Sequence, residues 1–130
     1  MAEPNPPIWP ESVLILRDTD DPKEMKGKLQ KTEDVWSEEK NTFTCEHHFS
    51  DRRWAVLFAP GVYEGVDLEV GYYVQVAGLG TTPDDVQFRN GKGPYVPALN
   101  RHLHGNHTGT CLDTFWRSGE NFANFAEQGM

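Results

Sequence analysis

Apolar positions along this chain fall into short runs with a period of two, interrupted once by a stretch with helical spacing. Val13-Leu14-Ile15-Leu16 is a compact apolar run suited to a strand, and Arg17-Asp18-Thr19-Asp20-Asp21-Pro22 ends it. Pro22 stands where a first helical turn favours proline, with Asp20 or Asp21 as the N-cap. From there Met25, Leu29, Thr32, Val35 and Trp36 recur three or four residues apart among Lys and Glu, which predicts a helix over about 22–41 that packs as a cover on a core. After Asn41 the period becomes two. Ala55-Val56-Leu57-Phe58 reads as a buried strand closed by the turn pair Pro60-Gly61. Val66, Leu68 and Val70 alternate with Asp67 and Glu69, so one face should be apolar and the other wet. Tyr72 to Ala77, Val86-Gln87-Phe88 and Leu112 to Trp116 read as further strands, with a long polar loop over 89–111. Strands starting roughly every 8–12 residues with glycine at the corners fit a sandwich or a parallel β-solenoid, and pattern alone leaves both open.

The length of 130 residues suits one domain, 13–130, because two would each be too small to bury a full core. Residues 1–12 carry Pro4, Pro6, Pro7 and Pro10, which forbid helix and ladder pairing and predict an extended arm. The net charge of −8 argues against nucleic acid or an anionic membrane as partner. The charge is evenly spread, since residues 1–40 and 41–130 each carry ten acids and six bases, so no acidic tail or basic arm stands out. No apolar run approaches the roughly 20 residues that span a bilayer. The opening Met1-Ala2-Glu3-Pro4-Asn5-Pro6-Pro7 has neither a basic nor an apolar signal region, and no signal peptide is expected from it. Cys45 and Cys111 are two and far apart. They read as buried free thiols, with one long-range disulfide as the option in an oxidising compartment.

Three segments taken in order select among the all-β options. Phe58-Ala59-Pro60-Gly61-Val62-Tyr63, then Val70 to Gly80 (VGYYVQVAGLG), then Pro83-Asp84-Asp85-Val86 resemble the opening coil of right-handed parallel β-helix proteins. The resemblance is to the pectin-lyase-like group around glycoside hydrolase family 55, the β-1,3-glucanases. Asp113 to Asn121 (DTFWRSGEN) resembles the second coil of the same proteins, and the match covers about Val13 to Asn124. It implies an incomplete right-handed parallel β-helix, mainly β with one N-terminal helix, coils over about 54–130, and an extracellular, carbohydrate-active lineage with β-glucan as ligand. Relatives carry many more coils, with their acid and base carboxylates in the later ones. The resemblance therefore assigns no catalytic residue here and implies an N-terminal cap and first coils without catalysis of their own.

Candidate chemistry in the residues themselves is thin. Asp67 and Glu69 sit about 6–7 Å apart by strand rise, but that holds for any such pair on a strand and speaks for a solvated face rather than a hydrolytic pair. Asp84-Asp85 reads as turn chemistry after Pro83. Trp116, Arg117 and Glu120 are the candidate sugar contacts, and Tyr72, Tyr73, Trp54, Phe115 and Trp116 would offer stacking surface where they point outward. His102, His104 and His107, with Cys111 and Asp113 beyond and Cys45-Glu46-His47-His48 as a second group, are the metal candidates. They show no standard ligand spacing, so neither a metal nor a cofactor is expected. Gly78-Leu79-Gly80 lacks the third glycine of a dinucleotide loop, Gly91-Lys92-Gly93 is no phosphate loop, and no Ser-hydrolase elbow occurs. Three function classes stay open: glucan-hydrolase-like coils, a non-enzymatic glycan-binding or oligomerising module, and a small metal-binding protein. A solenoid coil left uncovered exposes unpaired backbone and an apolar face. The coil is therefore expected to pair with another copy, to be covered at its open end by the N-terminal helix, or to be only marginally stable. Light scattering after size exclusion should give a dimer or larger under self-association, and a cooperative, compact monomer would exclude that version.

Overall fold

The computed structural model describes residues 5, 7–32, 36–37, 42–43, 51–71, 73–95 and 118–125. Eleven strands and one α-helix lie in these segments: β1 (Val13–Leu16), α1 (Pro22–Gln30), β2 (Trp36–Ser37), β3 (Thr42–Phe43), β4 (Trp54–Phe58), β5 (Gly61–Glu64), β6 (Asp67–Glu69), β7 (Val74–Gly78), β8 (Val86–Arg89), β9 (Gly93–Tyr95), β10 (Gly119–Glu120) and β11 (Ala123–Phe125). A 3₁₀ turn at Pro83–Asp85 precedes β8.

Every sheet but the small β2–β3 ribbon is parallel. The strand orders are β1-β4-β7-β10, β5-β8-β11 and β6-β9. The chain thus runs through three sheets in turn, β4-β5-β6, and then repeats the circuit as β7-β8-β9, each new strand lying on its counterpart. Parallel pairs need a long connection between partners, and here that connection is the rest of the circuit. A sandwich would need antiparallel neighbours, so the register settles the alternative that pattern left open.

Stacking in register brings like residues together. On the first sheet Leu14, Val56 and Val76 align, as do Leu16, Phe58 and Gly78. All of these large residues are buried, while Ala55 and Gln75 alternate outward. On the second sheet Tyr63 lies under Phe88. Phe58 meets Tyr63 and Phe88 edge-on at 4.9 and 4.8 Å between ring centroids, and Phe122 closes on Phe88 at 5.5 Å. Edge-to-face pairs of this kind add to the burial of their area. Leu68 of the third sheet completes the interior.

The helix is shorter than the 22–41 expected from periodicity. It has the predicted start, with Asp21 as N-cap accepting from Glu24 N at 3.3 Å and proline in its first turn. It ends at Gln30 because Thr32, β-branched and buried, turns its hydroxyl and its amide onto the carbonyl of Leu29, at 2.8 and 3.0 Å. Trp36–Ser37 is already extended and pairs with Thr42–Phe43. Three further departures follow from tertiary contacts. Pro60-Gly61 opens a strand rather than only a turn, Gly93–Tyr95 is a strand inside the expected 89–111 loop, and Glu69 is buried, 4% exposed, where alternation put it in water with Asp67. Glu69 is the last residue of β6, where strand alternation no longer governs which side faces out. The strand expected at 112–116 lies outside the described residues.

Corners are tied by asparagine. Asn121 takes a φ of 58° and its Nδ2 donates to the carbonyls of Gly78 and Gly80 at 2.9 and 2.8 Å. A side chain at Gly78 would collide with the carbonyl of Asn121, so glycine there permits close approach of the next circuit rather than a bend. Asn124 repeats the device one strand on, its Nδ2 donating to the carbonyls of Lys92 and Pro94. In urea unfolding, Phe58→Ala should lower stability by about 3–5 kcal/mol through lost burial and the residual cavity. Val62→Ala, on the outward face of β5, should stay within about 0.5 kcal/mol. Equal effects would mean the aromatic cluster is not the centre of the core.

Candidate functional site

The described surface has concavities in two regions that bear on function. One is a cleft of about 290 Å³ between α1 and the β5–β6 corner, with Met25, Leu29, Val62 and Val66 as apolar lining and carboxylates from Asp18, Asp20, Glu64 and Asp67 beside Lys26. α1 stands here because β5 and β6 have no earlier strand to pair with, and a helix laid across an edge protects it. Two of the four acids are committed to backbone amides: Asp20 accepts from Arg17 N at 2.9 Å and Asp67 from Lys92 N at 2.7 Å, while Asp18 packs its carboxyl against Gly61. Beneath them the Tyr63 hydroxyl donates between the carbonyls of Leu16 and Ala59, 3.0 and 2.6 Å away. Burial, then the negative charges of Asp18 and Asp20, push this phenol well above its ordinary value, against a smaller opposite pull from Arg17. Much of the cleft is thus built from groups that hold turns and strands in place.

The other concavity runs along the starting edge of the first sheet. Ser12, Val13, Arg53, Trp54, Ala55, Tyr73 and Gln75 line a hollow of about 230 Å³. An adjoining hollow of about 370 Å³ shares Ser12, Arg53 and Trp54 with it and adds Pro10, Glu11 and Arg52. Register produces the arrangement: Val13, Ala55 and Gln75 are Cα partners on the outward face of β1, β4 and β7. Ala55 is the smallest of the three and leaves the depression. The Arg53 guanidinium lies 3.4 Å from the centre of the Tyr73 ring and donates to the carbonyl of Arg52 at 2.9 Å. Gln75 Nε2 donates to Glu120 Oε1 at 3.1 Å. Trp54 N donates to the carbonyl of Tyr73, which joins the two aromatic residues through backbone.

Of the residues singled out in the sequence, this edge brings together Glu120, Tyr73 and Trp54. Trp116, Arg117, Tyr72, Phe115, the three histidines 102, 104 and 107, and both cysteines lie outside the described residues. Among the described residues no group of three His, Cys, Asp or Glu is placed to hold a metal ion. No helix among them is long and apolar enough to cross a membrane. Sequence reasoning missed Arg53, Ala55 and Gln75. The signal for them was the alternation of β4 and β7, which puts Ala55 and Gln75 outward; only the register shows that they meet.

Stacked parallel sheets with asparagine-tied corners and a helix over one edge define a β-helix-type fold. Comparison with known proteins identifies the relative. The chain is 39% identical over 77 residues, 59% of its length, to an exo-β-1,3-glucanase of Streptomyces sp. strain SirexAA-E / ActE, of which that stretch is 11%. In three dimensions it is similar to a variant of sacteLam55A from Streptomyces sp. SirexAA-E, solved in complex with glucose, with a TM-score of 0.54 and 23% identity over 88% of this chain and 18% of that one. No protein-family model matches. The chain is therefore related to the family 55 glucanases, as its motifs suggest, and spans about a tenth of the curated relative's length.

Tyr63→Phe should reduce stability by about 1–2 kcal/mol, since it withdraws a buried donor from two carbonyls. Its pH dependence carries a sign. The folded phenol stays protonated at pH values where an unfolded tyrosine, with a pKa of about 10, has ionised. Stability of the parent protein should fall as pH rises above about 10, and more steeply than that of Tyr63→Phe. Parallel alkaline profiles for the two proteins would refute the raised value.

Proposed function

We infer that this chain forms the cap and first coils of a right-handed parallel β-helix of glucan-hydrolase lineage, and that it binds β-1,3-glucan without cleaving it on its own. The observation that carries this reading is the match to an exo-β-1,3-glucanase at 39% identity, supported by strand stacks that repeat in register through three sheets. The unit is 13–130, with 1–12 as an extended Pro-rich arm. Binding without hydrolysis is favoured by the small share of the glucanase that this stretch matches, 11%, and by the use of Asp20 and Asp67 to hold backbone amides. Residues on and beside the outward face of the first sheet supply the contacts instead, with Glu120 retained from the sequence candidates and Tyr73 as the aromatic surface, while Trp54 packs against the core beneath them.

The alternative of a glycan-binding or oligomerising module differs in what surrounds the chain more than in what its surface does. Self-association would use the outer edges of β10 and β11, the last strands of their sheets. Titration with a β-1,3-linked glucose hexamer, followed by calorimetry, should give saturable binding, and a reducing-sugar assay over the same period should detect no product. Release of sugar would assign catalysis to the chain, and absence of binding would remove the glucan reading.

A further inference from the structure

The edge of the first sheet concentrates features that folding alone does not favour. Tyr73 holds a φ of 56°, a left-handed backbone that a bulky side chain seldom adopts. The indole Nε1 of Trp54, next to it through the backbone bond, is buried and has no hydrogen-bond partner among the described residues, which leaves a donor unsatisfied. Arg53, between Arg52 and Trp54, is held over the Tyr73 ring rather than extended into solvent. All three residues line the same hollow. Backbone strain at Tyr73 on a concave surface is what a binding site shows before its ligand arrives, and the Trp54 indole, packed against the core, lies directly beneath it.

The geometry points to this groove as a site for two consecutive pyranose rings of a neutral oligosaccharide, an assignment that rests on the glucan reading and places its ligand. The floor, Val13 and Ala55, is small and apolar and suits the carbon face of a sugar ring. The walls are polar. Gln75 commits its Nε2 to Glu120, which orients the amide and turns its carbonyl oxygen into an acceptor for a sugar hydroxyl. Ser12 both donates and accepts, and Arg53 donates. Extension to a second ring follows from the adjoining hollow, which shares Ser12, Arg53 and Trp54 and continues along Pro10 and Glu11. Charge favours a neutral ligand over an acidic one: Glu11 lines the hollows together with Arg52 and Arg53, Glu120 accepts from Gln75 beside them, and the chain as a whole carries −8.

The test uses the full chain labelled with ¹⁵N and titrated with the β-1,3-linked glucose hexamer, with glucose as the single-ring control. The Trp54 indole signal is assigned by its loss in Trp54→Phe. Expected is a saturable shift of that signal and of the Val13 and Gln75 amides by the hexamer, at concentrations where glucose moves them little. Ala55→Trp, which fills the floor from the outward face, should raise the hexamer Kd at least about tenfold, or 1.4 kcal/mol, with the amides of the core strands unmoved. Gln75→Ala should weaken binding in the same direction and covers the case in which the tryptophan disturbs the sheet. Hexamer binding with the three signals still, or undiminished in both variants, overturns the groove and leaves the glucan reading standing. Absence of binding by the β-1,3-linked hexamer overturns the β-1,3-glucan reading. A β-1,4-linked glucose hexamer that then moves the same signals upholds the groove, and its failure to do so overturns the groove as well.

Discussion

Edge-on contact of Phe58 with Tyr63 and Phe88 is the interaction on which the remaining structure depends, because it joins the first sheet to the second within one circuit and across to the next. Each ring arrives from a different strand, and the Tyr63 hydroxyl extends the contact to the carbonyls of Leu16 and Ala59. A circuit of chain has no core by itself. It acquires one when the inward residue of each strand lies on its counterpart above, which fixes register to the residue: a slip of one position would turn Val56, Phe58 and Val76 outward.

Corner chemistry follows from the same constraint. Circuits separated by one strand spacing leave little room where the chain changes sheets, so a carbonyl of one circuit must meet a residue without a side chain in the other. Gly78 beneath Asn121 and Gly93 beneath the Asn124 side chain are those meetings, and each asparagine supplies the donor that the exposed corner carbonyls lack. Asp85 does comparable work within one circuit, accepting from Thr82 N at 2.9 Å to close the 3₁₀ turn before β8. Asp67 and Asp85, two of the carboxylates weighed as candidates in the sequence, are consumed in this way. Part of the acidity at the cleft beneath α1, Asp20 and Asp67, is a by-product of holding backbone amides.

The outward surface is where register creates something new. Val13, Ala55 and Gln75 are far apart in the chain and adjacent in the sheet, and a small residue between two larger ones makes a depression flanked by Arg53 on Tyr73 and by Gln75 on Glu120. Position along the strands, not the identity of any one residue, gives that edge its shape. Relationship to a glucanase and a groove with an apolar floor and polar walls are independent observations, one from sequence similarity and one from geometry.

Much of the architecture was legible in the residues. Period-two runs marked β1, β4, β7 and β8, Asp21-Pro22 marked the start of α1, and the motifs around Pro60-Gly61 and Gly78-Leu79-Gly80 carried the likeness to glucanase β-helices. These signals are local: alternation, capping and turn chemistry act within a few residues, so a linear reading captures them. The end of α1 at Gln30, the burial of Glu69, the strand at Gly93–Tyr95 and the meeting of Arg53, Ala55, Gln75 and Glu120 were decided by the tertiary structure. Each depends on which strand lies beside which. In a parallel stack those partners are a whole circuit apart, a separation that no local pattern of hydrophobic and polar residues encodes.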